Sequence, residues 1–215
     1  MIGVYTCLLG PYDDVAPALF GGVLFTDQDV KPDGWQVRRV EPVLPGDLNR
    51  SSRYWFCQSC LVLPEYSVTI EHGADVQLQM EPGELIDRFL PDNCDIACFK
   101  HPHRDSVYEE ARMCGHWRKD DKASIKKQMG RYEREGFPGD DLSTCILLLR
   151  RNTPQVQKLE AMWWAEVLHG SRRNQLSFDY CRWRLGVKVA RIPGSPYKRG
   201  DIMKVYRHKA VQHFD

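Results

Sequence analysis

A chain of 215 residues with 42% hydrophobic and 27% charged side chains fits one globular domain, or one domain with a small appendage. No apolar run approaches the roughly 20 residues of a membrane span, and the start MIGVYTCLLGPYDD lacks the basic region of a signal peptide, so a cytoplasmic protein is expected. Net charge is only +1, but residues 1–99 hold 6 Lys and Arg against 15 Asp and Glu, and residues 100–215 hold 24 against 14. An acidic half that could hold a cation thus precedes a basic half that would attract phosphates; the alternative is two solvated faces that offset each other.

In chain order, residues 1–10 read as a buried strand running into Gly10-Pro11, and 22–27 as a second strand with Asp27 at its end. Residues 35–43 alternate and give a third. Residues 50–63 have apolar positions near helical spacing and stop before Pro64. Residues 66–70 form a strand that breaks at the run EHGAD, residues 71–75. A helix is expected over 82–90, a strand over 96–100, and helices over 106–114 and 122–135. Residues 143–150 are a strong apolar strand. Residues 154–169 form a long helix closed by Gly170, and 172–185 another. From Lys188 the chain is basic and broken by Pro193, Gly194 and Pro196. Strands alternate with helices, which argues an α/β fold with a mainly parallel sheet.

Ligands of open α/β sheets bind at the carboxyl ends of strands, and four clusters fall there. Tyr5-Thr6, Tyr12-Asp13 and Asp27 could hold a base and a ribose, or merely cap turns. Glu71 and Asp75, around Gly73, offer hard oxygen ligands to magnesium or manganese and leave positions for diphosphate oxygens; the alternative is a solvated acidic turn. Lys100, His101, His103 and Arg104, followed by Tyr108-Glu109-Glu110, make a dense cationic spot ahead of a helix N-terminus. It suits a phosphate or a sugar carboxylate, a His-x-His metal pair, or solvent. Trp163 and Trp164 precede the polar run SRRNQLSF, residues 171–178, and are either sugar platforms or core. Of eight cysteines, Cys57 and Cys60 make a lone CxxC with no second pair, so reduced core thiols are expected.

Six stretches together resemble one family. VYTCLLGPYDDV, LFTDQ, PEYSVTIEHGADVQL, FKHPHRDSVYEEA, LLLRRN and WWAEVLHGSRRNQLSFDYCRW occur, in this order, as in the turgor-defect/mucilage-related glycosyltransferase-like family. The most specific are KHPHRDSVYEEA and SRRNQLSF. The resemblance covers roughly residues 1–185. It implies a GT-A-like nucleotide-sugar-binding fold over 1–185, with 186–215 a basic tail packing on or closing over the site. It also implies a nucleotide-sugar donor, UDP-linked by expectation, and Mn2+ or Mg2+ as cofactor.

The roles that follow are Tyr5, Thr6 and Asp27 around base and ribose, and Arg53 near the diphosphate. Glu71, Asp75 and a late His208 would hold the metal. Lys100, His101, His103, Arg104, Glu110 and Trp164 would bind phosphate or acceptor, and Arg173, Asn174 and Gln175 would line the catalytic cleft. Two positions depart from the family's usual pattern: Glu71 and Asn174 stand where it shows Asp. Residues 182–215 carry nine Lys and Arg against two acids. An anionic acceptor is therefore expected, either a modified base in phage DNA or a bacterial glycan precursor. The other reading is a catalytically impaired nucleic-acid- or nucleotide-binding module.

Overall fold

The computed structural model describes residues 1–207. Its elements run β1 (Ile2–Leu8), β2 (Gly22–Thr26), β3 (Trp35–Arg39), α1 (Leu48–Cys57), α2 (Ser59–Val62), β4 (Val68–His72), β5 (Val76–Leu78), α3 (Pro82–Phe89), β6 (Ile96–Lys100), α4 (Val107–His116), α5 (Lys122–Arg134), β7 (Ser143–Arg151), α6 (Pro154–His169), α7 (Gln175–Leu185), β8 (Val189–Ile192), a 3-10 turn (Pro196–Lys198) and β9 (Met203–Val205).

Side chains alternate across a strand, so each apolar strand feeds two cores. Ile96 and Cys98 of β6 and Leu148 of β7 pack with α1, α2, α4, α5, α6 and α7. Ala97, Phe99, Leu147 and Leu149 face the other way, onto α3 and the β5–β9 pair. The result is a seven-stranded sheet, ordered β3-β2-β1-β4-β7-β6-β8, between two covering layers. Only β7 runs antiparallel to its neighbours. This is the expected α/β class, with a mainly parallel sheet flanked by helices.

Local chemistry sets the element ends. Thr153 accepts from the Val156 N–H at 3.4 Å and Pro154 opens α6, where its missing N–H costs no bond. Ser106 accepts from the N–H groups of Tyr108 and Glu109 and starts α4.

Four expectations change. The helix over 50–63 is two helices, because Gln58 leaves the helical path and its side-chain amide donates to the Glu160 carbonyl. The strand expected over 66–70 runs on to His72, because β4 is central and pairs with β1 on one side and β7 on the other. The helix over 172–185 starts at Gln175. The basic C-terminal stretch supplies β8 to the main sheet and β9, which pairs antiparallel with β5.

Candidate functional site

Six parallel strands and one reversed strand place the carboxyl ends of β1, β2, β4, β6 and β8 and the start of β7 along one edge. At about 4.8 Å per strand, β6 lies roughly 10 Å from β4 and 14 Å from β1. Every cluster singled out in the sequence borders this edge, except the tryptophan pair.

On the β1–β4 side, Gly10 adopts φ +81, and the loop after β1 is fixed by Asp27. The Asp27 Oδ1 accepts from the Gly10 N–H at 2.9 Å, and Gln28 donates to the Gly10 carbonyl at 2.7 Å. Tyr12 follows, half-buried; burial pushes its hydroxyl pKa up, and the charges of Arg53, Asp13 and Asp75 act on it. Arg53 comes from α1, and its buried Nε has no hydrogen-bond partner. A cleft of about 240 Å³ lies here, lined by Asp13, Asp14, Ala16, Asp75, Tyr206 and Arg207 among others. The β4–β5 turn closes it: the Ala16 N–H donates to Ala74 O and the Tyr206 N–H to Asp75 O, both at 2.8 Å.

The expected metal ligands separate. Glu71 is inside β4 and 1% exposed, not in a turn. Neither of its carboxylate oxygens has a hydrogen-bond partner, and burial drives its pKa well up against the opposing charges of Arg150 and Arg53. A carboxyl enclosed in a central strand, its charged form disfavoured by burial, is a poor cation ligand. Asp75 lines the cleft instead. His208 lies outside the described residues. No group of three or more His, Cys, Asp or Glu among the described residues is arranged to hold a metal ion.

On the β6 side, His101 and Arg104 are brought together. The His101 Nδ1 accepts from the backbone N–H of Arg104 at 3.0 Å and of His103 at 3.3 Å. That use of Nδ1, with burial lowering the pKa, keeps the ring neutral and leaves no His-x-His metal pair. Arg104 donates through Nε to the buried Glu110 at 2.5 Å. Lys100 is exposed and pairs with Asp105 at 3.0 Å; His103 is exposed. Across from them, Asp120 accepts from Ser171 Oγ at 2.6 Å and the Arg172 N–H at 2.8 Å. This fastens the turn ahead of α7 to the loop after α4 and brings Arg173 within electrostatic reach of Lys119. Burial pushes the pKa of Tyr197, on the 3-10 turn, up, and the charges of Asp75, Glu110 and Arg104 act on it.

Several expected ligand contacts belong to the core instead. Tyr5 is fully buried, donates to Phe56 O at 2.9 Å and accepts from Arg150, so it cannot stack on a base. Thr6 is buried and donates to His72 O at 2.7 Å. Trp163 is buried with its Nε1–H on Asn174 O at 2.8 Å; Trp164 packs edge-on to Tyr54. Gln175 spends its amide on Ser143 O at 2.9 Å. Asn174 is 6% exposed, and its Nδ2 has no partner. Cys57 and Cys60 are free thiols; burial pushes Cys60 up to about 12, which leaves it protonated and unsuited to zinc. Four arginines of the basic stretch are ion-paired: Arg182 and Arg191 with Asp141, Arg184 with Glu135, and Arg199 with Asp201.

Sequence reasoning missed Trp117, Lys119, Asp120 and Tyr197, which lie in segments without periodicity. It also missed the buried Arg150–Glu160 pair at 2.9 Å. An arginine in register with Leu148, on the buried face of an apolar strand, was the available signal, since buried charges are paired.

A model of the TOD1/MUCI70 glycosyltransferase-like domain matches residues 59–208. The chain belongs to this family. The match contains β4 through β9, and so both sides of the edge from Glu71 onward. A protein named probable hexosyltransferase MUCI70, from Arabidopsis thaliana, is 28% identical over 134 residues, which are 58% of this chain and 23% of that protein. The chain thus matches about a quarter of that relative's length. Among solved structures, mouse xyloside xylosyltransferase 1 in its apo form aligns with a TM-score of 0.47 at 10% identity, covering 88% of this chain and 84% of that one. The WbbM bifunctional glycosyltransferase aligns at 0.48 and 12%, covering 89% and 38%. Among the described residues no helix is long and apolar enough to cross a membrane.

Proposed function

We propose that the protein moves a sugar from a nucleotide-sugar donor, held at the carboxyl ends of β1, β2 and β4, to an acceptor hydroxyl that arrives from the β6 side. The observation that carries this reading is Arg53. Its guanidinium Nε is buried without a partner and its charge acts on Tyr12, beside the Asp13–Asp75 cleft. A buried unpaired donor costs about 1–3 kcal/mol, and a diphosphate oxygen would supply the missing acceptor. Tyr12 replaces Tyr5 as the aromatic at the base, and Asp27 shapes the loop that would flank the ribose.

Magnesium and manganese use one or two protein carboxylates and fill their other positions with water and substrate phosphate. Asp75 fits that limited role and Glu71 does not. Bound there, the cation would supply Lewis-acid stabilisation of the charge on the leaving diphosphate. Arg53 would orient the diphosphate by charge-assisted hydrogen bonds. The acceptor side, from β6 to the turn ahead of α7, would position the incoming hydroxyl.

Calorimetry with UDP and other nucleoside diphosphates, with and without manganese, tests the reading. Wild type should bind one of them. Arg53→Ala should weaken binding about tenfold, the loss of one charged hydrogen bond. Asp75→Asn should erase the manganese-dependent gain. Absence of binding in every condition would overturn the proposal. Binding without hydrolysis of any nucleotide-sugar would turn it toward a binding module.

A further inference from the structure

Positive charge around the loop after β6 exceeds what the protein neutralises. Arg104 is half of the ion pair with Glu110. Lys119 and Arg173 are in no ion pair among the described residues, although each lies within electrostatic reach of the other and Lys119 within reach of Glu110. Burial and the positive charge of Arg173 push the Lys119 pKa down, with Arg104 adding to the push and Glu110 opposing it. The Lys119 Nζ rests 4.8 Å from the centroid of the Trp117 ring, and the Arg104 guanidinium 5.6 Å from the same ring. Two donors next to this group have no acceptor: the buried Nε of Arg173, and Nδ2 of Asn174 in a residue 6% exposed.

The arrangement is held in place. Asp120 ties Ser171 and Arg172 to the loop that carries Lys119. Between Trp117 and Lys119 the chain passes through Arg118 at φ 51, the one non-glycine residue with positive φ among those described. Such backbone persists where its surroundings enforce it, and it concentrates at ligand sites.

Lys, Arg and Asn side-chain nitrogens are donors with no lone pair to offer. Lys119 has two other cations and one carboxylate within electrostatic reach, an excess of positive charge that calls for an acceptor that carries negative charge. The position, about two strand spacings from β4, is beyond a diphosphate held between β1 and β4. We propose that Lys119, Arg173 and Asn174, backed by Arg104, bind an oxyanion carried by the acceptor, a sugar carboxylate or a sugar phosphate. The acceptor assignment rests on the transferase reading; the anion site does not.

The test is an NMR titration of the full chain, followed at the Trp117 indole, with glucuronate, glucose 6-phosphate and glucose. At least one anion should bind about tenfold or more tighter than glucose, the increment of one charged hydrogen bond. The tighter of the two names the source of the charge. Lys119→Met changes an exposed side chain and should keep the fold; it should remove most of the preference while leaving nucleoside-diphosphate affinity unchanged. Arg173→Met should also remove most of the preference. Equal binding of glucose and both anions, no binding of any, or a preference that survives Lys119→Met would overturn the site. Anion binding without nucleoside-diphosphate binding would sink the transferase reading and leave the site standing.

Discussion

Replacing Glu160 by Gln probes the buried pair that fixes α1 over the sheet, and with it the placement of Arg53. Arg150 is fully buried and Glu160 is 1% exposed; their Nη1–Oε1 distance is 2.9 Å. Glu160 also accepts from Ser59 Oγ at 2.5 Å and the Cys60 N–H at 2.9 Å, while Arg150 donates to Tyr5 Oη and to Phe56 O. Glu160→Gln keeps an acceptor for α2 but leaves the guanidinium charge uncompensated in a dry site, which costs about 3–5 kcal/mol. That is a large share of the roughly 5–15 kcal/mol of an ordinary domain. The double variant Arg150→Met/Glu160→Gln removes both charges. It should return to within about 2 kcal/mol of wild type, since replacing a buried pair by apolar volume is often near neutral. Urea denaturation of wild type, both singles and the double gives the coupling energy directly. A loss below about 1 kcal/mol in Glu160→Gln, or a double variant as unstable as the sum of the singles, would refute the account.

Two further outcomes are expected. Burial depresses the His72 pKa from 6.5 to about 4, so the unfolded chain binds the extra proton first. This residue's share of stability is then lost as pH falls from 6.5 toward 4, by up to about 1.4 kcal/mol per pH unit; denaturation of His72→Gln over that range should lack this slope, and parallel curves would contradict it. Arg118→Gly places a residue without Cβ at φ 51, so it should leave stability unchanged or raise it by up to about 1 kcal/mol, as read by thermal unfolding. A drop of more than about 1 kcal/mol would mean that the Arg118 side chain itself holds the loop.

What the sequence reveals depends on whether the deciding contact is local. The α6 helix is legible to the residue because Thr153, Pro154 and Gly170 are its signals and lie next to it. The 96–100 strand is legible from its apolar run. Glu71 is not, because nothing local tells that β4 continues through it; the pairing of Glu71 with Tyr5 on β1 and Leu148 on β7 does. Three-residue strands such as β5 and β9 have no periodicity to read and exist because they meet each other. In the site, the cationic run at 100–104 is visible as composition. Its partners Trp117, Lys119 and Arg173 join it only through the Asp120 tie and the Arg118 turn, both tertiary.

The uneven charge of the two halves has a physical consequence that bears on the acceptor. Eight of the fourteen arginines of the basic half are paired with acids of the same half: Arg104 with Glu110, Arg131 with Glu166 and Glu135, Arg150 with Glu160, Arg172 with Asp120, Arg182 with Asp141 and Asp179, Arg184 with Glu135, Arg191 with Asp141 and Arg199 with Asp201. A duplex binds through a row of cations that displace counterions along its length, so such pairing removes the contacts a nucleic acid would use. Of the cations in no ion pair among the described residues, Arg112, Lys122, Lys126, Lys127 and Arg134 line a groove on α4 and α5. Lys119 and Arg173 converge on one spot with the paired Arg104, beside two unsatisfied donors. Convergent charge matches a single oxyanion and distributed charge a polymer backbone, so the site proposed at Lys119 and Arg173 would take an acceptor with one carboxylate or phosphate rather than the backbone of a duplex.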